Sequence, residues 1–173
     1  MSDKNKLSSE IIELINTLNK VSSLSEEIEK VTSVITECIK SGKKIMICGN
    51  GGSAAEANHL AAEFLVRLKP DNNRAAIPII SLSQNSSVLT ACGNDLGFEN
   101  IFSRTLEGLG SSGDVLISLS TSGNSKNVIN AIIAAKNKKI KTVSFLGEKG
   151  GAVKNFSDIN ILIPSENVAR IQE

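Results

Sequence analysis

The sequence predicts an α/β fold: a three-layer sandwich in which a parallel five-stranded sheet is flanked by helices, preceded by a helical N-terminal extension. Five short apolar runs of strand length alternate with segments in which apolar residues recur at helical spacing. Polar loops rich in Gly or Ser follow two of these runs and precede helices. Short buried strands alternating with helices are typical of a parallel sheet covered on both faces.

Length and charge limit the class of protein. The 173 residues are enough for a single domain with its own core, residues 1–173, of which 1–42 form the helical extension. Lys and Arg number 19 against 18 Asp and Glu, so no strong field attracts nucleic acid or a membrane surface. No apolar run approaches the roughly 18 residues of a membrane span, and no secretory signal is evident. We therefore expect a cytoplasmic protein without nucleic-acid or membrane partners.

The elements follow in chain order. Two amphipathic helices divide near Ser22, and they could cover the sheet or pack against another subunit; we favour the subunit contact. In the last helix we expect an inward face of Val128, Ile129, Ile132 and Ile133. Pro78 weakens the second strand because it cannot donate to a ladder. The predicted strands are 45–48, 77–81, 114–119, 141–146 and 158–163, and the predicted later helices are 54–68, 86–91 and 126–137. Cys38, Cys48 and Cys92, odd in number and widely spaced, indicate buried structural thiols.

The loop Ser120-Thr121-Ser122-Gly123-Asn124-Ser125 is the strongest functional signal. It falls between a predicted strand and a predicted helix, where hydroxyls and helix N-terminal amides can converge on a phosphate without Lys or Arg. The simpler interpretation is that one of Ser122, Asn124 or Ser125 caps the helix, which accounts less well for the whole hydroxyl cluster. We therefore predict a phosphate site in this loop.

A second loop, Gly49-Asn50-Gly51-Gly52-Ser53, follows the first strand. It permits close backbone approach, but it is neither a Walker loop nor G-x-G-x-x-G, so no nucleotide cofactor is indicated. Just downstream, His59 and Glu63 share one helix face at a spacing of four residues. Either can ligate a metal or transfer a proton, whereas spacing alone favours an ordinary surface pair.

Two further stretches carry little meaning alone. Gly93-Asn94-Asp95-Leu96-Gly97 reads as a turn after a helix, and Arg170-Ile171-Gln172-Glu173 as a frayed tail. Taken in order with the glycine loop, the His59–Glu63 pair and the serine loop, they resemble the sugar isomerase (SIS) domain family, with its flavodoxin-like fold, and within it the bacterial phosphoheptose isomerases.

The resemblance implies an aldose-ketose isomerase that converts sedoheptulose 7-phosphate to D-glycero-D-manno-heptose 7-phosphate, a step towards ADP-heptose and lipopolysaccharide or other surface polysaccharides. It also implies a homotetramer with active sites between subunits and one zinc ion per subunit. His59, Glu63 and Gln172 would hold the zinc, and Glu63 would be the catalytic base. The implied substrate-binding residues are Asn50, Gly51, Gly52, Ser53, Glu63, Asn94, Asp95, Ser120, Thr121, Ser122, Ser125 and Gln172.

In the family, a histidine on a helix beyond the R-I-Q-E motif completes the metal site and acts as the second acid/base. We expect the native protein to possess that helix; a chain ending at Glu173 would bind zinc weakly and turn over slowly. Two other functions fit the residues. One is a non-catalytic SIS protein that binds the replication initiator, which the joint presence of His59, Glu63 and Gln172 disfavours. The other is an isomerase for a different sugar phosphate.

Overall fold

The structure, a computed structural model, describes residues 3–173 and contains one parallel sheet between two layers of helices. The strand order is β2-β1-β3-β4-β5, the doubly wound order also found in flavodoxin. The strands are β1 (Ile45–Gly49), β2 (Ile79–Ser81), β3 (Val115–Ser120), β4 (Lys141–Gly147) and β5 (Ile159–Ile163). The α-helices are α1 (Asp3–Val21), α2 (Ser25–Lys40), α3 (Gly52–Leu65), α4 (Ser86–Asp95), α5 (Ile101–Leu109), α6 (Lys126–Asn137) and α7 (Val168–Gln172).

The predicted fold class is confirmed, and the differences are local. Strand β2 begins at Ile79, directly after Pro78, so the missing N–H lies outside the ladder. Helix α4 extends beyond its predicted end to Asp95, which makes Gly93-Asn94-Asp95 its last turn instead of a following loop. No element is predicted for residues 98–113, where the structure has α5. The C-terminal residues form α7 and not a frayed tail.

Alternation along the strands divides the core into two parts. Met46 and Leu116 face the side covered by α4, α5 and α6, whereas Ile45, Ile47 and Val115 face the side covered by α2 and α3. This arrangement confirms a sheet buried on both faces.

Helix α6 covers one face of the sheet and buries part of its apolar surface there. Val128 and Ile132 are fully buried, as predicted, and Ile129 is partly buried. Ile133 is 41% exposed, so its predicted inward orientation is wrong. At 100° per residue, Ile133 lies about 100° around the helix from Ile132 and about 140° from Val128, which turns it away from the buried face.

The three cysteines are free thiols in the core, as predicted. Complete burial raises the pKa of the Cys48 thiol to about 12, and burial likewise raises the pKa of Cys38. A thiol with a raised pKa holds little of the nucleophilic thiolate at neutral pH. This environment favours packing over redox chemistry.

Helix α1 contacts the rest of the chain along a narrow strip. Thr17 is its one buried residue among the side chains described, and Glu13 accepts hydrogen bonds from Asn167 Nδ2 at 3.1 Å on both carboxylate oxygens. Its apolar residues point elsewhere: Leu7, Ile11, Ile15 and Leu18 are 64%, 49%, 50% and 56% exposed. Within residues 3–173, no helix combines the length and apolar character needed to cross a bilayer.

A buried ion pair ties the amino ends of the two central strands together. Asp114, which is 1% exposed, accepts from Lys44 Nζ at 2.7 Å and from the amides of Lys44 and Ser111 at 3.1 and 2.7 Å. Burial opposes ionisation, but these donors outweigh it and hold the pKa of Asp114 below its ordinary value. Because this pair lies at the opposite edge of the sheet from the polar loops, its role is structural.

We predict that Asp114→Asn lowers the free energy of unfolding by about 2 kcal/mol at pH 7, because the buried amide cannot pair with Lys44. A depressed folded-state pKa stabilises the protein above the unfolded-state pKa, and this contribution is lost as the pH falls through the folded-state value. The difference between wild type and variant should therefore shrink below about pH 4. Urea unfolding at several pH values measures it. Glu107→Gln, at an exposed pair with Arg104, should change stability by less than about 0.5 kcal/mol.

Candidate active site

A cavity of about 240 Å³ opens at the carboxyl edge of the sheet, beside the point where the chain order reverses between β1 and β3; it is lined by α3, α7 and the ends of β3, β4 and β5. Helix α3, which follows β1, packs on one face of the sheet, while α6, which follows β3, packs on the other. Because neighbouring loops depart to opposite faces, a crevice forms between them. Its polar lining includes Ser53 from α3, Ser120 and Thr121 from the serine loop, and Gln172 from α7.

The glycine loop brings the first turn of α3 close to the end of β1. A Cβ at Gly49 would lie 2.7 Å from the Ser53 Cβ, so a larger residue would push the helix away. Gly51 has a φ of +55°, which disfavours residues with a side chain. The backbone of Gly51 and Gly52 remains exposed beside the cavity, and Ser53 lines it.

Hydrogen bonds within the serine loop and a close contact with a neighbouring loop hold it in one conformation. Ser120, 6% exposed, accepts from the Gly123 amide at 3.1 Å, and Ser122 accepts from the Asn124 amide at 3.2 Å. Gly123 has a φ of +64° and lies against the Gly150 carbonyl, so any side chain there would overlap the neighbouring loop.

A contact to the following loop completes this support. Asn124 Oδ1 accepts from the Ala152 amide at 3.0 Å, and the Val153 amide donates to the Gly123 carbonyl at 2.8 Å. Ser125 occupies the N-cap position of α6, but its side chain makes no capping hydrogen bond. Capping therefore does not account for the hydroxyls of this loop.

The charges around the cavity restrict where an anion can bind. Among the described residues that line it, Glu56 and Glu173 are acidic and none is Lys, Arg or His. A phosphate would be repelled from the carboxylates and attracted to the hydroxyls and amides at the start of the 12-residue helix α6. The geometry thus supports an anion site at the serine loop that is formed by hydroxyls and helix amides.

His59 and Glu63 lie further along α3. His59 Nε2 is 3.9 Å from Glu63 Oε1, and the two side chains are 66% and 24% exposed. Glu63 Oε2 is buried and has no hydrogen-bond partner among the residues that the structure describes. A buried carboxylate oxygen without a donor is costly, so it indicates a partner from outside this chain. Arg74 fixes this end of the helix by donating to the carbonyls of Glu63 and Phe64 at 2.7 and 2.8 Å.

Gln172 lies at the other end of α3. Its side-chain amide touches Gly52 so closely that a Cβ there would overlap it. With a rise of 1.5 Å per residue, His59 is about 10 Å and Glu63 about 16 Å further along the helix axis. The contacts of this chain therefore bring His59 to Glu63 and leave Gln172 apart. Within residues 3–173, no three or more His, Cys, Asp or Glu side chains cluster as a metal site.

Asn94 and Asp95 end α4 and are exposed, with Asn94 Nδ2 donating to Asp95 Oδ1 at 2.7 Å. They do not line the cavity of their own chain. The helix starts at Ser86, so eight residues, about 12 Å of helix, separate its start from Asn94.

Two residues at the site were not predicted from the sequence. Glu56 lines the cavity, and its position one turn before His59 on the same predicted helix was a signal that could have identified it. Asn127 exchanges hydrogen bonds with Asn50, both at 2.9 Å. The two residues are 77 positions apart, and no local pattern links them.

Comparison with known proteins identifies the family to which this chain belongs. Residues 11–147 match the SIS domain family. The phosphoheptose isomerase of Clostridium acetobutylicum is 47% identical over 148 residues, covering 86% of this chain and 74% of the relative. That of Nitratiruptor sp. is 47% identical over 165 residues, covering 95% of this chain and 87% of the relative.

A solved structure extends the likeness to three dimensions. The phosphoheptose isomerase GmhA from Neisseria gonorrhoeae has a TM-score of 0.92 and 34% identity to this chain, covering 99% of it and 91% of the solved chain. The aligned regions include the sheet and both polar loops. The protein therefore belongs to the SIS domain family and, within it, to the phosphoheptose isomerases.

Proposed function

We propose that this protein is an aldose-ketose isomerase that converts sedoheptulose 7-phosphate to D-glycero-D-manno-heptose 7-phosphate. The observation that carries the proposal is the cavity at the carboxyl edge of the sheet, where Ser53 at the end of the glycine loop and Ser120 and Thr121 of the serine loop line one space. Family membership supplies the reaction type and the seven-carbon sugar. In the cytoplasm, this reaction would provide heptose for ADP-heptose and for lipopolysaccharide or another surface polysaccharide.

Binding begins with the phosphate. Ser120, Thr121, Ser122 and Ser125 would surround it with hydroxyl and amide donors, and Glu56 would keep the dianion away from the opposite side of the cavity. The sugar chain would then extend along Asn50, Gly51, Gly52 and Ser53. Anchoring one end of a flexible substrate reduces the entropy lost when its reacting carbons are aligned.

Isomerisation requires a base that takes a proton from the carbon beside the carbonyl. Glu63 is suited to this role because Oε2 is buried without a hydrogen-bond donor among the described residues, which leaves it available to accept a proton. Glu63 would later return the proton to the neighbouring carbon. Asn94 and Asp95 would contact the substrate from a second subunit.

Zinc fits the donor set in part. His59 and Glu63 are ligand types that zinc accepts, and Glu63 Oε1, which lies 3.9 Å from His59 Nε2, would hold the ion while Oε2 takes the proton. We propose that His59, Glu63 and Gln172 hold the ion, with a histidine C-terminal to residue 173 as a further ligand. Bound zinc would polarise the carbonyl and hydroxyl oxygens of the substrate.

The positions of these groups favour active sites between subunits of a homotetramer. Gln172 contacts the Gly52 end of α3, whereas His59 and Glu63 lie about two and three turns further along it, so a site that contains all three residues needs Gln172 from a neighbouring chain. Helix α1 offers a surface for assembly, because Leu7, Ile11, Ile15 and Leu18 form an exposed apolar stripe at helical spacing.

Glu63→Gln should lower kcat for sedoheptulose 7-phosphate by about 100-fold or more while KM changes little, because the amide binds but cannot take the proton. A coupled isomerase assay, with shorter ketose phosphates and with zinc removed and restored, measures it. Glu37→Gln, on the exposed side of α2, is the matched control.

Unchanged turnover by Glu63→Gln would remove Glu63 as the base. Preference for a shorter sugar phosphate would instead support the alternative substrate. If the wild-type protein showed no isomerase activity and captured the replication initiator, the binding-protein alternative would replace the enzyme.

Mixing two inactive variants tests the location of the sites. Subunits with Glu63→Gln and subunits with Gln172→Ala, unfolded together and reassembled in equal amounts, should recover about a quarter of wild-type activity, since about one site in four receives both intact groups from different chains. The separate variants, treated identically, provide the baseline. Activity that stays at the baseline despite confirmed mixed assemblies would place each site within a single chain.

A further inference from the structure

The pair formed by Asn50 and Asn127 connects the two loops of the site. Asn50 directly follows β1 and belongs to the glycine loop, whereas Asn127 is the second residue of α6, just after the serine loop. Each side chain donates from Nδ2 to the Oδ1 of the other at 2.9 Å. The pair therefore crosses the crevice between the strands whose following helices pack on opposite faces of the sheet.

The two members of the pair differ in exposure. Asn127 is 2% exposed, while Asn50 is half-buried. A primary amide has two N–H donors and two acceptor lone pairs, and the reciprocal contact uses one of each. Asn50 thus keeps one donor and one acceptor for a ligand, whereas Asn127 is enclosed and has no access to one.

Reciprocal hydrogen bonding fixes the plane of the Asn50 amide. A single hydrogen bond would let the group rotate about it, but two antiparallel bonds define which edge faces the partner and which faces away. The terminal torsion of asparagine is otherwise broad, so this restraint removes freedom that binding would have to remove. An amide is also neutral, so it orients Asn50 without placing a carboxylate near the phosphate site.

We propose that Asn127 is a positioning residue for the isomerase: it orients the Asn50 amide towards the sugar and sets the spacing between the glycine loop and the phosphate-binding serine loop. This inference rests on the proposed function, because it assigns Asn50 to substrate binding. Asn127 acts through Asn50 and touches neither substrate nor metal.

A double-mutant cycle tests the proposal. Asn127→Ala should lower kcat/KM for sedoheptulose 7-phosphate about tenfold, mainly through KM. In a protein that already carries Asn50→Ala, the same change should have less than about a twofold effect, because its target is gone. Asn130→Ala, which removes an amide on the same helix that donates to the Glu99 carbonyl at 3.0 Å, should leave kcat/KM unchanged.

Binding of inorganic phosphate separates positioning from a general structural effect. If Asn127 only stabilised the start of α6, Asn127→Ala would weaken phosphate binding at the serine loop and would add fully to Asn50→Ala. Either result overturns the proposal. Asn127→Leu, which keeps the branching and the number of side-chain heavy atoms but forms no hydrogen bonds, repeats the cycle if the alanine variant proves unstable.

The cycle can also be completed on the affinity for sedoheptulose 7-phosphate, measured by calorimetry. If the wild-type protein binds the sugar phosphate without turning it over, the isomerase assignment is contradicted. The affinity cycle then still tests the role of Asn127. Additive losses of affinity in an active enzyme would contradict the role of Asn127 alone.

Discussion

The parallel pairing of β1 with both β2 and β3 is the constraint on which the site depends. Ile45 pairs with Ile79 on one side and with Val115 on the other, so the chain must reverse its direction of winding at β1. The helix after β1 and the helix after β3 are consequently sent to opposite faces, and the crevice between them is a geometric result of strand order. The Lys44–Asp114 pair secures the same two strands at the distant edge.

Close backbone contacts convert this crevice into a site of defined shape. Gly49 admits the first turn of α3, Gly123 admits the loop at Gly150, and Gly147 receives the Thr121 carbonyl, to which its own amide donates at 3.2 Å. Each contact replaces side-chain volume with direct backbone packing. The polar groups that we propose to bind substrate are therefore carried by segments with little room to move.

Sequence patterns predicted those helices and loops well that depend on residues close together in the chain. The helix at Lys126–Asn137 was predicted at its observed bounds because a serine-rich turn precedes an apolar periodicity. The serine loop and the His59–Glu63 spacing were visible for the same reason. In contrast, α5 was missed between two polar stretches, and the position of Asn94 within α4 was mistaken because Asn, Asp and Gly favour both turns and helix ends.

Contacts between residues far apart in sequence could not be predicted from such patterns. The pairing of Asn50 with Asn127, the closeness of Gln172 to Gly52 and the exposure of Ile133 all depend on how elements pack. The family resemblance named the residues of the proposed site. It did not indicate that Gln172, on α7, contacts the first turn of α3, whereas Glu63 lies near the last turn of that helix.

The separation of these residues along α3 makes the length of this helix important for the proposed assembly. If neighbouring subunits share sites, the Gly52 end of each α3 belongs to one site and the Glu63 end to the next, so its 14 residues set the distance between two reaction centres. Inserting or deleting one residue would rotate one end by about 100° and move it by about 1.5 Å relative to the other. A substitution at one end of α3 would disturb one site, whereas a change of length would disturb two sites at once.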